Sequence, residues 1–285
     1  MAAVRLAGPI ARMADVGGVI WVADWQNATI TGVDIETLCP FVVIQGKAVA
    51  MTSVADELWV ADFTKSEIVR LDGESGKELG RIGGIRASGG LGYDGKLVWA
   101  VCCGLDSSGD DQVQLLDPGL LEPVRELVVE RGSGVDFGFD SAWVGRLVPS
   151  GVLKVSSDGR EIVAEVDLPG GVIRNIQVTD SAVLVADGGR DLILIVDPLE
   201  LSLVDAVSVG SDIDQPFDIS VRGGSDAWVV GPGAPYVLRL VGGDLQPVVA
   251  LLGEAANTVL ASQRYVWVGT EGGLLLRIDP TKRDG

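Results

Sequence analysis

The chain has 285 residues, 47% of them hydrophobic, which is ample for a large core. Its formal net charge of −18 repels phosphate backbones and anionic headgroups, so neither nucleic acid nor membrane is expected as a general partner. There is no histidine, which excludes Ser-His-Asp and Cys-His nucleophilic chemistry and histidine-bound metals.

Read from its start, the chain shows Arg5, Pro9, Arg12 and Asp15 where a signal peptide would need an unbroken apolar stretch. A cytoplasmic location is expected. Three cysteines, Cys39, Cys102 and Cys103, make no disulfide framework, which fits a reducing compartment. Residues 3–7 read as an orphan strand. A short phrase then begins to recur: an apolar residue, Trp, an apolar residue, and a small or acidic residue. It carries Trp21, Trp59, Trp99, Trp143, Trp228 and Trp267, with Leu184 holding the Trp place in a seventh copy. The copies lie 38, 40, 44, 41, 44 and 39 residues apart. A fixed period of this size means an array of one supersecondary unit.

Within each copy the hydrophobic period is two, the strand period. The second copy shows four strands, 49–54, 58–62, 67–72 and 78–82, divided by turns of Gly, Asp and Ser. A second marker, an apolar pair leading into Asp, falls at Asp34, Asp72, Asp117, Asp197 and Asp279. Its offset from the Trp place is 13 residues in copies one, two and five, 12 in copy seven and 18 in copy three. Four short antiparallel strands per ~40–45 residues make a propeller blade. The sequence therefore predicts an all-β, seven-bladed propeller of four-stranded blades in one domain. Blades start near residues 11, 48, 88, 134, 173, 217 and 257. Blade seven stops after three strands, so residues 3–7 are expected to complete it and close the ring. The periodic tryptophans are expected to pack between blades.

The phrase apolar-Trp-Val-Ala-Asp, followed by an apolar-x-apolar-Asp strand, resembles the β-propeller superfamily that holds YncE-like proteins, NHL-repeat proteins and virginiamycin B lyase. The matching residues build blades, so the resemblance speaks for the fold. Virginiamycin B lyase-like enzymes use a histidine base with bound magnesium, and that base has no counterpart here. The resemblance implies ligand recognition on the face carrying the blade-to-blade loops and the loops between second and third strands.

Candidate residues on that face fall into two sets. The loops after the Trp phrase supply Asp24, Asp62, Asp187 and Glu271, with the out-of-period Trp25 as an exposed contact residue. Acids at equivalent blade positions could ring the channel mouth and hold calcium, magnesium or a cationic ligand. They could equally end their strands by accepting turn amides. The starts of the inner strands supply Arg12, Asp136, Arg174, Asn175, Asp218 and Asn257. Their arginines, with Arg86, could clamp a carboxylate or pair with the acids of the rim. A five-residue insertion in blade three carries Asp106, Asp110 and Asp111, without the alternating spacing of a calcium loop. The expectation is a monomeric binding scaffold for a protein segment or a small polar or cationic molecule, with no required cofactor. The alternative is a metal-assisted lyase- or lactonase-like enzyme using carboxylates.

Overall fold

The computed structural model describes residues 1–103, 111–209, 218–232, 236–241, 244–250 and 253–281. These residues form seven antiparallel sheets of four strands each, and no helix occurs among them. Blade one runs outward from the axis through Arg12–Val16, Val19–Asp24, Thr29–Asp34 and Pro40–Gln45. The inner strands of the other blades are Ala50–Val54, Gly90–Tyr93, Gly132–Gly138, Ile173–Val178, Asp218–Val221 and Ala256–Ala261. They lie where the sequence period puts them.

The ring closes as expected. Ala2–Arg5 pairs antiparallel with Leu274–Ile278, with Ala2 opposite Arg277 and Arg5 opposite Leu274. This strand starts and ends slightly earlier than the 3–7 read from sequence. A hydrogen bond from Leu6 N to Gly273 O and the Arg5–Glu254 ion pair hold its end. Seven apolar clusters fill the seven gaps between blades, including one joining blade seven to blade one through Trp267, Leu275, Ile20 and Val22. An open array would leave one gap and two sheet edges uncovered.

Every Trp of the repeat, and Leu184, sits on a second strand and is at most 2% exposed. Four of the six indole N–H groups are met: Trp21 donates to Gly73 O of blade two at 2.8 Å, Trp59 to Glu57 Oε2 at 2.9 Å, Trp99 to Asp94 Oδ2 at 2.8 Å and Trp143 to Gly138 O at 3.1 Å, while those of Trp228 and Trp267 are buried with no hydrogen-bond partner among the described residues. The residue opposite the Trp on the third strand is basic in blades two, four, six and seven. Arg70, Lys154 and Arg239 lie 5.4, 5.2 and 5.1 Å from the ring centres of Trp59, Trp143 and Trp228. Blades two, four and six thus have an apolar plate with a cation on its face.

The Asp that ends a third strand is a turn former. Asp34 Oδ1 accepts from Glu36 N and Thr37 N, Asp72 Oδ1 from Ser75 N, and Asp197 Oδ1 from Leu199 N and Glu200 N. In blade four Ser156 takes the position, and its Oγ accepts from Arg160 N and Glu161 N. The marker recurs because a carboxylate or hydroxyl there supplies acceptors for amides that would otherwise be unpaired.

Candidate functional site at the channel mouth

Inner strands all start at one face, and the second strands end there. The candidate residues of the sequence therefore share a face, as the alternation of strand direction requires, except Asp136, which was expected at a strand start and lies instead within Gly132–Gly138 opposite Trp143. Their individual surroundings differ.

Asp24, Asp62 and Asp187 end their second strands and are 7%, 3% and 0% exposed. Asp24 Oδ1 accepts from Gln26 N and Asn27 N, and its Oδ2 from Asn27 Nδ2 at 2.6 Å. Asp62 accepts from Thr64 N and Lys65 N and pairs with Lys65 Nζ at 3.2 Å. Burial would raise its pKa, but the Thr64 and Lys65 bonds and the lysine charge outweigh that and lower it. Asp187 accepts from Val172 N and Gly189 N at 3.0 Å and from Arg190 Nε at 2.7 Å. The three acids close their own turns. Glu271 is not their fourth equivalent: Thr270 holds that register, fully buried, and Glu271 is the exposed residue beyond it. Among the described residues no group of three or more acids or thiols is placed to hold a metal ion. The cations that pair with Asp62 and Asp187 are Lys65 and Arg190, neighbours in sequence rather than the arginines of the inner strands.

The inner-strand candidates do line the axis. A channel of about 360 Å³ is bounded by Arg12, Arg174, Asn175 and Asp218, among others. Asn175 Nδ2 donates to Asp218 Oδ1 at 2.6 Å, and Asp218 Oδ2 accepts from Thr258 Oγ1 at 2.7 Å and Val259 N at 3.1 Å. Asp136 Oδ2 accepts from Val178 N at 2.6 Å, Gln177 Oε1 from Val221 N, and Ser220 Oγ from Ala261 N. Each of these bonds reaches from one blade to a following one, so blades four to seven share a polar girdle. At the matching positions opposite the Trp, blades one to three carry Ala14, Thr52 and Gly92. Burial raises the pKa of Asp136 to about 6 and raises that of Asp218, against the pull of Arg12 and the hydrogen bonds.

Two site residues owe their position to bulges. The inner strands of blades five and seven shift register between Ile173 and Asn175 and between Ala256 and Thr258. Arg174 and Asn257 are the extra residues, each without an opposite partner in the ladder. A bulge frees its side chain from the alternation of the strand and re-aims it, here at the start of the inner strand. Blade four makes the same shift at Gly134, with φ of 72°.

A second cavity, of about 600 Å³, opens at the mouth over blades seven, one and two. Arg12, Trp25, Gln26, Asn257 and Glu271 contribute polar or aromatic groups, and Ala11, Ala48 and Val49 an apolar floor. Arg12 is fixed at the wall by Nε to Val49 O at 3.1 Å and Nη1 to Ala11 O at 2.8 Å. Trp25 is 50% exposed, and Lys47 Nζ lies 5.6 Å from its ring centre. Of the eleven sequence candidates four thus meet at one cavity, four line the channel with Arg12 common to both, three acids belong to turns, and Asp136 belongs to the girdle. Lys47 and the girdle residues Gln177, Ser220 and Thr258 were not among the expected residues.

In blade three, Cys102 and Cys103 are buried free thiols, and burial raises the pKa of Cys103. Asp106 and Asp110 lie outside the described residues, while Asp111 Oδ1 accepts from Arg131 N. Among the described residues no helix is long and apolar enough to cross a membrane.

This geometry defines a seven-bladed, four-stranded β-propeller with a funnel on one face. Solved structures of the same shape agree. A catalytically inactive variant of virginiamycin B lyase from Staphylococcus aureus with quinupristin superposes with a TM-score of 0.80 at 13% identity, over 96% of this chain and 97% of that one. The selenomethionine-substituted lyase gives 0.75 at 15% identity, over 97% of each chain. Hydrazine synthase from Kuenenia stuttgartiensis gives 0.81 at 14% identity, over 99% and 98%. At these identities the likeness is one of fold. No protein-family model and no curated protein matches the sequence.

Proposed function

We propose that this chain is a binding propeller whose ligand is a small molecule held at the channel mouth. The observation that carries the reading is the cavity over blades seven, one and two, where Arg12, Trp25, Asn257 and Glu271 surround an apolar floor. Its volume of about 600 Å³ falls among small-molecule sites, which pair a mostly apolar wall with a few placed polar groups. A half-exposed tryptophan beside such a cavity is an apolar surface held in water. Any ligand of this site should lose affinity in Trp25→Ala and Asn257→Ala and keep it in Val204→Ser, an exposed outer-strand change. Equal affinity in all three would overturn the assignment.

The alternative, a carboxylate-dependent lyase- or lactonase-like enzyme, draws on the shape shared with virginiamycin B lyase. On this chain it lacks a histidine base, and Asp24, Asp62 and Asp187 are occupied by turn amides. A calcium- or magnesium-dependent rise in melting temperature, abolished by Glu271→Gln, would revive it.

A further inference from the structure

We propose that the end of the channel opposite the mouth is a second ligand site, which takes a primary ammonium on a small aromatic group, with Asp15 as its counter-ion. It lies under the same three blades, seven, one and two, and does not depend on the mouth-site reading.

The place follows from strand direction. Asp15 and Ser53 lie near the ends of the inner strands of blades one and two, and Ser262 directly follows that of blade seven. The three border a cavity of about 620 Å³. Met13, Met51 and Leu260 line both this cavity and the channel. Blade seven braces the wall on one side. Arg277 Nη1 donates to Ile35 O and, at 3.0 Å, to Glu36 O, and Arg264 pairs with Glu36. Both guanidinium groups also sit by the Tyr265 ring, Arg264 at 4.9 Å and Arg277 at 4.8 Å from its centre.

The charged residues that line the cavity are Asp15 and Arg264. Arg264 is taken up by Glu36, and among the described residues no lysine or arginine pairs with Asp15. Burial pushes the Asp15 carboxyl above the usual carboxylate range, and what opposes burial is a hydrogen bond with Ser262 rather than a cation. A half-buried carboxylate without a counter-ion is stabilised by any cation that can reach it, and the attraction is stronger there than in bulk water. The net charge of −18 draws cations to the whole surface, and Asp15 fixes where one stays. The rest of the wall sets the other end of the ligand. Two of the chain's three methionines, Met13 and Met51, meet there with Ile35, Leu260 and Tyr265. Thioethers adapt to the shape of a guest and favour contact with the edge of an aromatic ring. An apolar wall with one placed charge is the make-up of a small-molecule site.

The methionines also supply the readout. In protein labelled at its methionine methyl groups, phenethylammonium should shift the Met13 and Met51 signals saturably and leave that of exposed Met1 in place. A Kd on the order of 1 mM is expected for so small a ligand. Asp15→Asn should weaken binding about tenfold, because a charged hydrogen bond becomes a neutral one. This variant should melt no lower than the parent near pH 7, since its amide has no charge to bury. Phenylethanol, with the same ring and no charge, should likewise bind about tenfold more weakly, a comparison that needs no mutation. Asp167→Asn removes an exposed acid from the outer strand of blade four and should leave affinity unchanged. An equal loss in Asp15→Asn and Asp167→Asn would reduce the effect to general attraction and overturn the site. Phenylethanol binding as tightly as phenethylammonium would overturn the role of Asp15. Methyl shifts that vanish in Trp25→Ala and persist in Asp15→Asn would place the ligand at the mouth instead. No shift of Met13 or Met51 at about 20 mM phenethylammonium would overturn the proposal and leave the mouth-site reading untouched.

Discussion

Asp136, on the inner strand of blade four, accepts a 2.6 Å hydrogen bond at Oδ2 from the backbone N–H of Val178, at the end of the inner strand of blade five. Its Oδ1 accepts from Phe137 N. The two amides lower its pKa, but burial outweighs them and lifts it from an ordinary 3.8 to about 6.

The sign of the resulting pH effect follows from linkage. Native Asp136 holds its proton up to about pH 6, while the unfolded chain releases it near 3.8. The stabilising contribution is therefore complete below pH 3.8 and is lost as pH rises through 6. Against Asp136→Asn, which does not titrate, the wild type should lose roughly 1–3 kcal/mol of unfolding free energy between about pH 4 and pH 7. Denaturant unfolding of both proteins at the two pH values checks this. Parallel pH curves would show that the carboxylate is solvated.

Asp187 should behave as a strand terminator. Its carboxylate is fully buried and meets Val172 N, Gly189 N and Arg190 Nε. Asp187→Ala should cost about 2–4 kcal/mol by leaving two amides and a guanidinium group unpaired. The loss measured by thermal or urea melts should be the same with a chelator as with millimolar calcium. A loss that appears only with calcium present would make Asp187 a cation ligand instead.

Gly73 is a contact point between blades one and two. Trp21 Nε1 donates to its carbonyl at 2.8 Å, and an added Cβ would stand 2.5 Å from Asp56 O. Gly73→Ala should therefore shift the turn and cost about 1–3 kcal/mol, visible in the chemical denaturation midpoint. Gly83→Ala, with nothing within 4 Å of the new methyl, should cost far less and serves as the control.

Deleting residues 1–6 should uncover the edge of Leu274–Ile278 and the contacts of Val4 and Leu6 with the blade seven–one cluster. A melting temperature lower by more than about 10 °C, with concentration-dependent association in light scattering, is the expected outcome. A truncated protein that melts like the parent would separate ring closure from that strand.

The blades were legible in the sequence because each one buries the same plate, and a recurring Trp every 38 to 44 residues is the trace of that plate. Leu184 shows that the position matters more than the residue. Trp25 stood out as exposed because it breaks the period. The site was less legible. Whether Asp24, Asp62 and Asp187 face a ligand or their own turns depends on a rotation about one side-chain bond, and composition cannot fix that. Glu271 read as their equivalent because acids in short turns look alike, although the ladder puts Thr270 in register. Arg174 and Asn257 were named as inner-strand starts, but the bulges that re-aim them leave no mark in a period-two pattern. Lys47 was missed because its partner, Trp25, is 22 positions away in sequence and meets it only across the sheet.

Ala2 lies beside Arg277 in the final sheet, so the last rung of the circle joins segments 275 positions apart. Loop closure over such a span is slow compared with making one hairpin. On a ribosome, blades one to six can each assemble from consecutive chain as it emerges. The seventh must wait for its partner strand, which was made first and has had no sheet to join in the meantime. Until that late docking, a nascent chain carries an unsatisfied strand and a gap awaiting Ile20, Val22 and Trp267 together, and this is the interval in which a chaperone or a neighbouring copy would most readily engage it.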